Sequence, residues 1–99
     1  MNLKEAALHC EKAWSQFANK NHINRDDVFY LFKLQEELGE LTRSFLELRG
    51  SEKPILSESE LKRKFEGDIV SVVGNALILA HQYNIDLEKV IPKKFPVQN

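Results

Sequence analysis

Between residues 31 and 48, Leu31, Leu34, Leu38, Leu41, Phe45 and Leu48 recur at alternating steps of three and four. At about 100° per residue these side chains form one stripe of an α-helix. A strand, with its period of two, cannot line them up. A stripe of this kind must be buried against other helices, so the chain is constrained to a helical packing. The same stretch, residues 33–49, reads KLQEELGELTRSFLELR and carries Glu36, Glu37 and Glu40. Glu37 and Glu40 sit side by side on the flank of the stripe, and Glu36 points more nearly away from it. Two such carboxylates suit one hard cation, because Mg²⁺ takes a few carboxylate oxygens and keeps several waters. The spacing alone suits a solvated acidic face better, since Glu is a good helix former.

The length of 99 residues predicts one domain, residues 1–99, with a real but modest core. The net charge of −1 argues against a nucleic-acid polymer as partner, which calls for a basic chain. A single cysteine, Cys10, excludes an internal disulfide and any zinc-ribbon spacing. The opening MNLKEAALHCEKAW is interrupted by charges and lacks the apolar core of a signal peptide. The apolar run at 76–80 is far too short to span a bilayer. The expectation is a cytoplasmic chain with no membrane partner.

Residues 2–20 predict a first helix, with Leu3, Ala7, Cys10, Trp14 and Phe17 as its stripe. The polar break NKNHIN follows, and Asn24 or Asp26 caps a second helix running to Arg49, where Gly50 supplies a left-handed stop. Phe29 and Phe32 make a second apolar face that needs cover from the first helix or from another subunit. Residues 50–57 read as a loop. Ser57 and Glu60 form a capping-box signature for a third helix over 58–83, which Asn84 can end in the αL conformation. Residues 69–80 are apolar on nearly every side, so this helix should be central. Gly74 in its interior predicts the close approach of another helix. Asp86 caps a short fourth helix over 87–91, which Pro92 ends or kinks. The tail, residues 95–99, is expected to be mobile unless a partner holds it. The fold class is therefore all-α: an antiparallel bundle of three long helices plus a short fourth. Its excess of apolar faces predicts oligomerisation, as a homodimer or a dimer of dimers.

Asp68, Ser71 and Asn75 fall on a single stripe of the third helix, extended by Lys64 and Gln82. Buried polar groups must be hydrogen-bonded, paired or bound to something. A short loop makes helices two and three antiparallel neighbours, so Glu37, Glu40 and Asp68 can converge at one edge of the pair. Converging carboxylates without a cation would repel, and a divalent metal relieves that repulsion.

QEELGEL, a second acidic helix and then ILAHQYNIDLEKV resemble the MazG-like all-α nucleoside triphosphate pyrophosphohydrolases. The resemblance covers roughly residues 12–95. It implies a MazG-like fold and cleavage of an NTP or dNTP, with Mg²⁺ or Mn²⁺, to the monophosphate and pyrophosphate. The family pattern is E-E-x-x-E in one helix, matched by Glu36, Glu37 and Glu40, and E-x-x-D in the next. The later segment matches at Leu79, Ala80, Ile85, Asp86, Leu87 and Glu88, with Asn84 in place of the usual Gly. By resemblance, Glu36, Glu37 and Glu40 are the catalytic residues, and Glu37, Glu40 and Asp68 hold the metal. Glu36 would ligate a second ion or orient the attacking water. Trp14 and Phe17 would stack on the base and Lys94 would contact phosphate. Asn75 joins them as a substrate-binding residue. The second motif departs from the pattern, with Asp68 at its Glu and Ser71 at its Asp, so one charged ligand is missing. The rival reading is a catalytically inactive helical module kept for binding or assembly.

Overall fold

The computed structural model describes residues 1–50, 53 and 55–98. Part of the expected loop over 50–57 (residues 51, 52 and 54) and the terminal Asn99 lie outside the described residues. Among the described residues, four α-helices follow one another: α1 (Leu3–Asn21), α2 (Asp27–Leu48), α3 (Glu58–Gln82) and α4 (Leu87–Lys94). Each start is capped by a side chain accepting a backbone N–H, from Asn2, Asp26, Ser57 and Asp86 in turn. Ser57 and Glu60 complete a reciprocal capping box. The left-handed stops fall on His22, Gly50 and Asn84. α4 passes through Pro92 and reaches Lys94 instead of stopping at residue 91. Proline removes only the bond to the Glu88 carbonyl, which is exposed, while the Phe95 N–H still bonds to Ile91.

α3 is the middle helix, packed against α2 on one side and α1 on the other, with α4 folded back onto α1. α2 and α3 run antiparallel. The Tyr83 hydroxyl meets Asp27 at one end, Lys64 meets Glu40 further along, and Phe45 faces Phe65 near the loop. At Gly74 a β-carbon would stand 3.4 Å from the Cys10 sulfur, which marks the expected close approach of α1 to α3. Trp14 of α1 packs edge-on against Phe17, Phe29 and Tyr30. Phe29 thus has the cover it needs from α1, whereas Phe32 stays exposed.

The α2 seam is rotated from the stripe expected of it. Its inward residues are Tyr30, Leu34, Glu37, Leu41, Ser44 and Leu48. Leu31, Leu38 and Phe45, each about half exposed, lie on an outer row. The seam of α3 runs through Leu61, Phe65, Asp68, Val72, Asn75 and Ile78, so the polar stripe does face its neighbours, while Ile69, Val70 and Val73 are exposed. Among the described residues the buried core is small: Ala7, Ala18, Tyr30, Leu61, Leu77, Ile78 and Ala80, with Ser44 and Asn75 as buried polar members. The radius of gyration, 15.8 Å, exceeds the ~13 Å of a close-packed domain of this length. The smallest dimension, 24 Å, is only about two helix diameters. Among the described residues, no helix is long and apolar enough to cross a membrane.

Candidate metal and nucleotide site

Four acidic residues of α2 and α3, Glu36, Glu37, Glu40 and Asp68, are divided between two lysines. On α2, Lys33 Nζ lies 3.2 Å from Glu36 Oε1 and 3.9 Å from Glu37 Oε1. Helical spacings of three and four place these charges together. The same ammonium stands 5.6 Å from the centre of the Trp14 ring, a cation–π position. Glu37 has only 18% of its side chain exposed, whereas Glu36 has 63%. Glu37 thus belongs to the seam and Glu36 to solvent, in the order expected of them.

Across the seam, Lys64 Nζ lies 2.9 Å from Asp68 Oδ2 and 3.5 Å from Glu40 Oε2. This ammonium is the link that brings Glu40 of α2 and Asp68 of α3 to one charge. The hydrogen bond to Asp68 raises the Lys64 pKa above its ordinary 10.5. Partial burial opposes that rise, and the Asp68 and Glu40 charges add to it. Asp68 keeps 14% of its side chain exposed and Glu40 keeps 48%, so the pair sits at the seam's edge with one side open to water.

Asn75 is buried further along the stripe. Its Nδ2 donates to the Ser71 carbonyl at 2.8 Å, and its Oδ1 has no partner among the described residues. An unpaired buried carbonyl oxygen is costly, and it remains free to accept from a ligand. Lys94 lies exposed in the last turn of α4, on the helix that packs against α1. Phe17 is half exposed beside Trp14. The structure therefore joins Glu40 with Asp68, and Glu36 with Glu37 and Trp14, as two neighbouring clusters. Among the described residues, no three Asp, Glu, His or Cys side chains stand together as a ready-made metal-ligand set.

Two groups stand out that the sequence reading left unassigned. Lys64 was visible only as an extension of the polar stripe, although its spacing of four from Asp68 signals the pairing. Beneath Trp14, Arg25 Nη1 donates to the Tyr30 hydroxyl at 2.6 Å and to Glu11 Oε1 at 2.9 Å. Burial raises the Tyr30 pKa above 10.0 despite the nearby guanidinium. This network fixes the aromatic cluster on α2. No short-range spacing links Arg25 to Glu11, so nothing in the sequence signals their contact.

Clefts open at two places among the described residues. One of about 450 Å³ lies where α1, α3 and α4 meet, with Leu3, His81, Asn84, Asp86 and Glu88 in its wall. Glu88 accepts the Leu3 N–H there, so the segment 84–88 anchors the start of α1. The other, about 330 Å³, opens beside Lys64 and is lined by Arg43, Glu47, Lys53, Ile55 and Leu56.

Comparison with family models, with curated proteins and with solved structures finds no match. The functional reading rests on the residues themselves.

Proposed function

We propose that the chain is a MazG-like nucleoside triphosphate pyrophosphohydrolase with a reduced acidic site. One observation carries the reading: Glu40 of α2 and Asp68 of α3 share a single positive charge across an open-sided seam. Hard oxygen donors gathered at one charge suit Mg²⁺ or Mn²⁺. Of the expected ligands only Glu40 and Asp68 stand together; Glu37, held on Lys33, would have to turn toward them to complete a cation site, and the cation would supply positive charge for phosphate oxygens and acidity for a water. Glu36, exposed beside Glu37, orients the attacking water or takes its proton. Trp14 and the half-exposed Phe17 offer ring surface to a base. Lys94 and Asn75 complete the contacts to the nucleotide. Attack by water between the α and β phosphates gives the monophosphate and pyrophosphate.

The same reading includes self-association. Leu31, Leu38 and Phe45 on α2, with Ile69, Val70 and Val73 on α3, stay exposed within one copy. A second copy is the partner proposed for them.

A screen of NTPs and dNTPs with Mg²⁺ or Mn²⁺, scored for pyrophosphate release, tests the activity. Turnover abolished in Glu40→Gln is the expected result. Absence of turnover on every nucleotide leaves the rival, an inactive helical module. Ser71, uncharged where the family pattern has an acid, is the feature that favours that rival.

A further inference from the structure

We propose that α4 and the tail behind it form a seat for an anionic lipid surface, with Phe95 inserting between flanking lysines. The inference stands apart from the nucleotide reading and does not depend on it. Its basis is what the fold leaves uncovered. Among the described residues α4 has no buried member, and it is held chiefly to α1. Leu87 is half-buried there, and Glu88 accepts the Leu3 N–H. Beyond them Val90, Ile91, Phe95 and Val97 are all exposed, Phe95 at 70% and Val97 at 86%. At about 100° per residue Val90, Ile91 and Lys94 share one side of α4, with Lys89 and Lys93 across from it.

Charge decides what fits this face. Residues 87–98 carry Lys89, Lys93 and Lys94 against the single acid Glu88, in a chain whose net charge is −1. Glu88 is turned to the start of α1. Among the described residues, none of the three lysines is paired with a carboxylate. Lys33 and Lys64, by contrast, each hold acids of the bundle. Exposed apolar side chains alone would suit any apolar partner, and unpaired lysines around them select an anionic one. Neither cleft described above reaches beyond Glu88, so the segment is a projection and not a groove that cradles a peptide. A projection of this chemistry suits a bilayer surface. Its apolar side chains enter the boundary of the acyl chains, while lysine stems extend to the headgroups. No spanning helix is needed, so the proposal revises the expectation of no membrane partner, which rested on the lack of one.

The test is flotation of the full chain with phosphatidylcholine vesicles, with and without phosphatidylserine. Binding only to the vesicles that contain phosphatidylserine, weakened by added salt, is the expected result. Lys89→Gln and Lys93→Gln should each weaken it about fivefold. Phe95→Ser should weaken it at unchanged charge, because it removes the inserting ring. All three positions are exposed, so the variants should keep the helical content, which circular dichroism checks. No binding to the phosphatidylserine vesicles would overturn the proposal, and binding to polyglutamate in its place would assign the lysines to an acidic protein. Equal binding to both kinds of vesicle would overturn the match to anionic lipid. Binding unmoved by Phe95→Ser would overturn the seat and leave only loose adsorption of charge.

Discussion

The Tyr83 hydroxyl donates to the Asp27 carboxylate, joining the residue after α3 to the first residue of α2. This bond depresses the Asp27 pKa below 3.8 and raises that of Tyr83 above 10.0. The two shifts bound its effect in pH. Asp27 contributes stability that is present above its ordinary pKa and lost as pH falls through the depressed one. Tyr83 contributes stability that is present below its ordinary pKa and lost as pH rises through the raised one. The melting-temperature gap between the wild type and Tyr83→Phe should therefore be widest at neutral pH and close at both extremes. Thermal melts across the pH range check this, and a gap independent of pH would contradict it.

Ile78 has no exposed surface and packs where α3 lies between its two neighbours. Ile78→Ala should destabilise the fold by about 2–5 kcal/mol, since it leaves a cavity in a core too small to close around it. Denaturant unfolding should show this as a lower midpoint at an unchanged slope.

Much of the fold was legible in residue pattern, and the rotation of α2 shows where legibility ended. Caps at Asp26, Ser57 and Asp86 and stops at Gly50 and Asn84 are local chemistry, and they fell where side chains and glycine predict. The seam is a relation between helices. Leu34, Leu41 and Leu48 belong both to the expected stripe and to the observed one, so periodicity alone cannot choose between the adjoining rows. Trp14 and the Arg25–Tyr30–Glu11 network draw Tyr30 inward, and Glu37 and Ser44 follow it. That Glu40 and Asp68 lie on facing flanks of α2 and α3 was readable from spacing, whereas Glu37 turns to Lys33 instead of joining them. The sharing of Glu40 and Asp68 by Lys64 was not readable, because it spans 24 residues.

The outer row gives a prediction about assembly. Leu31, Leu38 and Phe45 are seven residues apart in register, a repeat that suits a second helix laid alongside. Light scattering at micromolar concentration should report a homodimer or a dimer of dimers. Leu38→Glu should shift it to monomer while keeping the helical content, because Leu38 is half exposed within one copy. A wild-type monomer at that concentration would refute the association.

Ser71→Asp separates the enzyme reading from its rival. Ser71 lies one turn from Asp68 and is partly buried. A carboxylate there should bring a Mg²⁺-dependent gain in melting temperature and in turnover if the cation binds. Without a cation, like-charge repulsion and desolvation should destabilise the fold by about 1–3 kcal/mol. A loss that Mg²⁺ cannot rescue would decide for the inactive module.

The sulfur of Cys10 rests over Gly74, where α1 lies close against α3. As the chain's single thiol, it makes every thiol reagent a probe of one place. Cys10 is only partly exposed, so its reaction with a bulky reagent should quicken as α1 lifts away. If α1 parts from α3 before the α2–α3 pair melts, Cys10 will react under conditions where the global fold is still intact. The ratio of those two rates ranks α1 against the rest of the bundle in order of release.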